Sequence, residues 1–391
     1  MEKTSLLLLA IVAMTLTASA QSWTQKADYP VSGSVSDNRC YFSVGNGIYV
    51  LDELDRTLWM YDPVADNWIQ KSNFPGVQRF YGFTMSIGIR VYYGSGDDIS
   101  GTYRNDFWEY DPIADTWSPL DTLPVRYSGA TAFTIGNKGY LMMGMTNMVN
   151  VSNELWEYYP ATDTWTTKNN IGFPLRYACS GVSDGFNGYL GFGYSSLTNM
   201  WYDDLYLYDA FSDSWSTLDP FPFGARCYAM ATATGQYIYT GLGNMSMTAY
   251  SDVYQADLAT GTWTSLPALP GSGRTSPLGF LVNGKLYAGL GHHLPSASPA
   301  NDLWALTVAS GLPESDGSAP YYWYASSTDE VTLVFRQLLP DRISIYDITG
   351  KLIIEKNNIT TPEHRFALPN HGVFMVKYES GDTVSAFKIV R

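Results

Sequence analysis

Short runs of alternating apolar and polar residues recur along this chain. NDFWEY (105–110), NELWEY (153–158), DDLYLY (203–208) and SDVYQA (251–256) each turn every second side chain to one face, the period of a half-buried strand. Each run leads through a turn to a tryptophan: YDPVADNW (61–68), YDPIADTW (110–117), YYPATDTW (158–165), YDAFSDSW (208–215) and ADLATGTW (256–263). Pro63, Pro112 and Pro160 close three of these strands, because proline has no N–H to give to a ladder. Asp66, Asp115, Asp163 and Asp213 stand two residues before Trp, where a carboxylate caps the amides of its own turn. The pattern predicts a hairpin in each copy, with its second strand opening at Trp.

The tryptophans set the repeat. Trp23, Trp68, Trp117, Trp165, Trp215 and Trp263 lie 45, 49, 48, 50 and 48 residues apart, and Trp59, Trp108, Trp156, Tyr206, Tyr254 and Trp304 form a second series at the same interval. Such self-similarity means one supersecondary unit copied around a ring or along a stack. Upstream of each hairpin a second strand pair ends in Tyr-x-Gly-x-Gly: YYGSG (92–96), YLGFG (189–193), YTGLG (239–243) and YAGLG (287–291). The third copy weakens this to YLMMG (140–144) and the first to YVLDE (49–53). An arginine opens the strand before it: Arg79, Arg126, Arg176, Arg226 and Arg274. Four strands per copy, six copies and no helical window predict an all-β chain, a six-bladed β-propeller.

In the Arg before the first strand, the Tyr-Gly-Gly strand end, the Asn/Asp-Asp-hydrophobic third strand and the Trp opening the fourth, the chain resembles kelch repeats over roughly residues 22–308. The first copy departs most, lacking both glycines and the arginine. Trp23 opens a fourth strand with no third strand before it, and Trp304 sits in a third strand with no fourth after it. Ser22–Lys26 is therefore expected as the outermost strand of the last blade, closing the ring and covering its open edges.

Both ends read as addresses. Lys3, the apolar run LLLLAIVAMTLT and Ala18-Ser19-Ala20 have the order of an export signal, so residues 1–20 are expected to be removed and Gln21 to lead the mature chain. No stretch is apolar over the ~20 residues of a membrane-spanning helix, so no transmembrane segment is expected. The propeller then covers 21–308, GLPESDGSAP marks a linker at 309–320, and 321–391 form a separate β-sandwich with strands VTLVFR (331–336), RISIYD (342–347) and VFMVKY (373–378). In Ile345-Tyr346-Asp347, Gly350-Lys351-Leu352, Leu368, Gly372-Val373-Phe374-Met375-Val376 and the terminal Lys388-Ile389-Val390-Arg391, it resembles the C-terminal sorting domain of type IX secretion cargo of the Bacteroidota. That resemblance implies a secreted or outer-membrane-surface protein whose residues 321–391 engage secretion machinery. Phe374 stands where that family more often has Tyr.

A net charge of −14 and a pI near 4.6 disfavour nucleic acid and anionic membranes as partners. Cys40, Cys179 and Cys227 are odd in number and fall in different blades, so unpaired buried thiols are expected rather than disulfides. His292-His293 point to opposite sides of an extended loop and no Cys/His spacing suits a metal, so neither metal nor cofactor is expected. Met145, Met148, Met200, Met245 and Met247 fall in loops of one face, as adaptable contact surface, as a soft-metal site or, the reading favoured, as filler beneath those loops.

The candidate ligand-binding residues are the five arginines. At equivalent strand starts, Arg79, Arg126, Arg176, Arg226 and Arg274 would encircle the channel mouth beside the variable loops 95–104, 145–152, 194–202, 244–250 and 292–300 and suit a carboxylate. The kelch pattern offers another role for them, tying blades together through backbone carbonyls. The expected function is a surface or secreted module that binds a protein or glycan through this face, with no catalytic residue assigned. The alternatives are a sugar-active enzyme of the sialic-acid mutarotase or epimerase kind, which some kelch-like propellers are, and a structural surface component.

Overall fold

The computed structural model describes residues 21–30, 39–308 except 148, 149, 171, 186, 211 and 259, and the segments 321–325, 330–335, 339–347, 351–361, 363–368, 373–380 and 383–390. The expected signal at 1–20 and linker at 309–320, together with Met148, lie outside these residues.

Among the described residues every regular element is a strand, and those of 23–307 build six antiparallel sheets of four strands each. Sheet one is Arg39–Val44, Gly47–Asp52, Leu58–Asp62 and Asn67–Lys71. Sheet two is Phe83–Ile87, Arg90–Gly94, Phe107–Asp111 and Thr116–Pro119. Sheet three is Thr131–Ile135, Lys138–Met145, Val151–Tyr159 and Thr164–Lys168. Sheet four is Ser180–Ser183, Asn187–Gly191, Leu205–Asp209 and Ser214–Leu218. Sheet five is Met230–Ala233, Tyr237–Gly241, Val253–Asp257 and Trp263–Leu266. Sheet six takes Leu278–Val282, Lys285–Gly289 and Leu303–Thr307 from the far end, and its outer strand is Trp23–Lys26 from the near end. Trp23 pairs with Leu306 and Lys26 with Leu303. The first strands of consecutive sheets neighbour one another in cyclic order, with the sixth against the first.

Two devices join neighbouring sheets. At four of the six seams the tyrosine of the second strand faces the third strand of the next sheet, where a second tyrosine meets it: Tyr49 with Tyr110 at 6.2 Å between ring centroids, Tyr92 with Tyr158 at 5.2 Å, Tyr140 with Tyr208 at 5.6 Å and Tyr287 with Tyr61 at 5.9 Å. Edge-on and tilted aromatic pairs of this kind add to the gain from burial itself. The second device is the Asp-x-Trp turn. Asp66 Oδ1 accepts the Tyr61 hydroxyl (2.7 Å) and the Ala27 amide (2.9 Å), while the Trp68 indole N–H donates to the Ala27 carbonyl (2.9 Å). Asp115 with Trp117 holds Ser72 in the same way, and Asp213 with Trp215 holds Asn169. These carboxylates therefore clamp the end of the preceding sheet. The local turn amides are capped by the earlier Asp62 and Asp111 instead, through Val64 and Ile113. The clamping aspartates sit at positive φ (50–55°), a conformation aspartate tolerates better than most residues.

The glycines at the ends of the second strands answer close approaches. A Cβ on Gly241 would lie 2.2 Å from the Asp252 carbonyl, and one on Gly291 2.3 Å from the Thr275 carbonyl. Between the two glycines the chain turns at positive φ in every such copy, at Ser95, Phe192, Leu242 and Leu290, and Met143 keeps that turn in the third copy.

Residues 321–390 contribute a three-stranded and a four-stranded sheet, Tyr321–Ala325, Glu330–Phe335 and Glu363–Ala367 against Leu352–Asn357, Arg342–Asp347, Val373–Ser380 and Thr383–Val390. One apolar core joins them, with Val331, Leu333 and Phe366 from the first and Ile343, Ile345, Phe374 and Val376 from the second.

The closing strand yields a direct test. Trp23 packs in the core between sheets five and six, and its indole donates to the Pro267 carbonyl at 2.8 Å. We expect Trp23→Ala to lower stability by on the order of 3 kcal/mol in chemical denaturation of residues 21–391. An unchanged midpoint would contradict closure by this strand.

Candidate functional site

Four of the five candidate arginines are buried inside the framework. Arg79, Arg176, Arg226 and Arg274 are essentially inaccessible, and each forms a two-pronged ion pair with the aspartate that opens the third strand of its own sheet. Arg79 Nη1 and Nη2 reach Asp106 at 2.7 and 2.6 Å; Arg226 reaches Asp252 at 2.8 and 3.1 Å; Arg274 reaches Asp302 at 2.7 and 3.1 Å; Arg176 pairs with Asp204 likewise. Their Nη1 groups also donate to carbonyls of the second strand, Ser95, Phe192 and Leu242 for Arg79, Arg176 and Arg226. Aromatic rings cover the guanidinium planes, Tyr250 over Arg226 at 4.5 Å and Tyr202 over Arg176 at 4.3 Å. Each charge is thus neutralised where it sits, and none of the four faces the channel.

Arg126 does not belong to the set. The first strand of sheet three starts four residues after Tyr127, as the other first strands start four after their arginines, so Tyr127 occupies the equivalent position and Arg126 is exposed, one residue out of step. Tyr127 is fully buried and its hydroxyl donates to Ser152 (3.0 Å) and to Glu154 (3.4 Å), the residue in the aspartate position. The third copy has exchanged both partners together. That joint exchange was legible in NELWEY beside PVRYSG, as was the constant companionship of Arg with the Asn/Asp-Asp strand.

What faces the channel is different. A cavity of about 360 Å³ opens on the axis, walled by the first strands of all six sheets and the segments entering them. In five copies the chain enters through a residue at positive φ two positions after the arginine or its substitute: Tyr81 (58°), Gly129 (65°), Ala178 (56°), Tyr228 (51°) and Ser276 (49°). Only one is glycine, and such backbone strain collects where a structure holds a functional surface in place. Backbone bonds link these entries, Gly129 N–H to Tyr81 C=O (2.9 Å), Tyr228 N–H to Ala178 C=O (3.1 Å) and Ser276 N–H to Tyr228 C=O (3.2 Å), and the Tyr41 hydroxyl donates to Ser276 C=O (3.3 Å). The strained entries therefore present Tyr81 and Tyr228 to the cavity beside Tyr41 and Phe280. Tyr81 is 43% exposed. Burial, with Tyr81 and Cys227 nearby, pushes the Tyr228 phenol well above its usual range, and burial pushes that of Tyr41 up to about 12, so both are neutral donors at any physiological pH.

Two ionisable residues join the wall. Glu53 stands where later copies have the second glycine; its Oε1 accepts the Gly82 amide (2.9 Å) and the Tyr93 hydroxyl (2.8 Å), fastening sheet one to sheet two, and burial raises its carboxyl above the usual range. Arg39 lies under the Tyr29 ring (4.7 Å) and donates to the Ala300 carbonyl and Asn301 (3.3 Å each). Cys40 and Cys179 also line the cavity, and burial raises both thiols, Cys179 to about 12, so neither is a ready nucleophile. Cys40, Cys179 and Cys227 are all unpaired.

The second-to-third-strand loops build short ribbons over the entries: Arg79–Phe80 pairs with Asp97–Asp98, and Arg274–Thr275 with His292–His293. His292 and His293 are therefore half-buried strand residues, and His293 Nδ1 lies 3.2 Å from the Gly273 carbonyl. Among the described loop methionines, Met200, Met245 and Met247 are exposed and Met145 is half-buried.

The superposition with a solved structure titled "Structure of YjhT" has a TM-score of 0.63 at 15% identity and covers 73% of this chain and 97% of that one. The fold of the ring is thus a β-propeller. No protein-family description and no curated protein matches the chain.

The pairing of the arginines makes two expectations. Asp204→Asn should strand Arg176 without its counter-charge and cost about 3 kcal/mol, whereas Arg126→Ala should change stability by no more than about 0.5 kcal/mol, both read by chemical denaturation. The second concerns acid. Burial alone would raise the Asp106 and Asp302 carboxyls, but hydrogen bonds from Arg79 and Arg274 hold both below the usual range. A folded-state value below the unfolded one contributes stability that is present above about pH 4 and lost as pH falls through the folded value. The thermal midpoint should therefore drop on acidification below about pH 4, less steeply in an Asp106→Asn variant, whose remaining pairs are fewer.

Proposed function

We propose that this chain is an exported, six-bladed kelch-type propeller that binds a glycan in its axial cavity. The observation that carries the reading is the cavity wall: tyrosines held by strained entries, on an acidic protein whose buried arginines are spent on internal aspartates. Aromatic faces with hydrogen-bonding tips suit a sugar, whose axial C–H groups stack on rings while its hydroxyls need partners. The face is the one expected for the arginines, but its chemistry favours an uncharged sugar over a carboxylate. Export rests on the signal-like residues 1–20, and delivery to the cell surface on the likeness of 321–391, read as a β-sandwich, to a type IX sorting domain.

A second reading, a sugar-active enzyme, has one observation in its favour: Glu53 lines the cavity with its carboxyl held toward the protonated form, as a general acid needs. Its two hydrogen bonds to sheet two give it a structural task as well.

Glycan-array screening of the mature chain is expected to select neutral oligosaccharides, and Tyr81→Ala with Tyr228→Ala should weaken the selected ligand by about 2 kcal/mol, roughly thirtyfold, while Arg126→Ala leaves it unchanged. Ligand turnover that is lost in Glu53→Gln with the thermal midpoint retained would favour the enzyme instead. Removing residues 321–391 should leave a folded propeller that stays inside the outer membrane; normal surface delivery of that truncation would remove the sorting assignment.

A further inference from the structure

One seam of the ring is built differently from the other five. Between sheets four and five lies a cavity of about 220 Å³, walled by Val182, Tyr189, Ile238, Ala256 and Trp263 and reaching the exposed Leu218 and Gly261 at the Asp-turn face. Each other seam is filled by a cluster of buried apolar residues. The repeat shows what is missing. At four seams the second-strand tyrosine meets a third-strand tyrosine, and at the fifth Tyr239 packs with Leu306; Tyr189 faces Ala256. The aspartate that would hold that absent hydroxyl is also gone, replaced by Gly261, which keeps the turn's positive φ (68°). Across the gap, Val182 stands where sheets one and three carry Phe42 and Phe133. Trp263 has no hydrogen bond to the preceding sheet among the described residues, as Trp165 has none, whereas Trp68, Trp117 and Trp215 each have one.

We propose that this gap is a binding site for a small uncharged aromatic molecule, whose ring takes the place of the absent tyrosine between Tyr189 and Trp263. The size fits: apolar cavities of about 150 Å³ accept benzene, and this one has room for a bicyclic ring. The site is open to solvent at the turn face, so a ligand enters without unfolding the seam. It is separate from the axial cavity and does not depend on the function proposed for it.

The probe is indole, titrated into the full mature chain and followed by ligand-observed NMR and by the thermal midpoint. We expect saturable binding below about 1 mM and a rise in midpoint. Ala256→Tyr with Gly261→Asp, which restores the repeat's own pair, should raise the midpoint without ligand and weaken indole at least tenfold. Val182→Phe fills the gap from the other wall and should also weaken indole at least tenfold, which keeps the test intact if the double variant does not fold. Absence of saturable binding to the unaltered protein, or binding that both filled variants retain, would overturn the proposal.

Discussion

The constraint on which everything else rests is the seam between sheets. A four-stranded antiparallel sheet satisfies its own interior backbone, but it leaves two apolar faces that only the next sheet can cover. The ring closes largely through one repeated solution: at four seams tyrosine meets tyrosine across the gap, its hydroxyl bound to an aspartate that grips the end of the preceding sheet, and at three of these the tryptophan grips it too. Burial pushes Tyr61, Tyr110, Tyr158 and Tyr208 far above the ordinary phenol range, and the aspartate hydrogen bonds push the same way, so these hydroxyls act only as neutral donors. Placing the polar contact at the rim of an apolar seam makes it specific for register, while burial supplies most of the stabilisation.

The buried arginines solve a second problem, inside each sheet. The chain turns sharply at the glycine pair and leaves second-strand carbonyls facing inward, and one guanidinium satisfies such a carbonyl while binding the aspartate at the start of the third strand. An arginine used in this way is unavailable to a ligand. It does fix the strand entry that follows two residues later, and that entry presents Tyr81 and Tyr228 to the channel. Framework and site are therefore linked through a few residues of backbone.

Much of this was legible in the residues themselves. The tryptophan interval announced the sheets, and unmatched Trp23 and Trp304 announced that the first strand completes the last sheet, which the pairing of Trp23 with Leu306 shows. The fate of the arginines was less legible, because a strand-start position says where Cα lies and not which way a long side chain turns. The sign was present: where Tyr127 replaces Arg, Glu154 replaces Asp, and such joint exchange marks a pair. Tyr81 and Tyr228 were hidden for another reason. Positive φ at a tyrosine has no local signature, and only glycine at the equivalent Gly129 hinted at the conformation. ADLATGTW, by contrast, already carried the altered fifth copy in its missing Tyr and Asp.

The central claim is that recognition belongs to the tyrosine-lined axial cavity and that the arginines belong to the framework. Hydroxyl-radical footprinting of residues 21–391, with and without a saturating neutral oligosaccharide chosen by array, tests it most directly. The account predicts protection at Tyr81 and Tyr228, with the Asp-turn tryptophans Trp68, Trp117 and Trp215 unchanged. Protection confined to those tryptophans, with the two tyrosines unaltered, would contradict it.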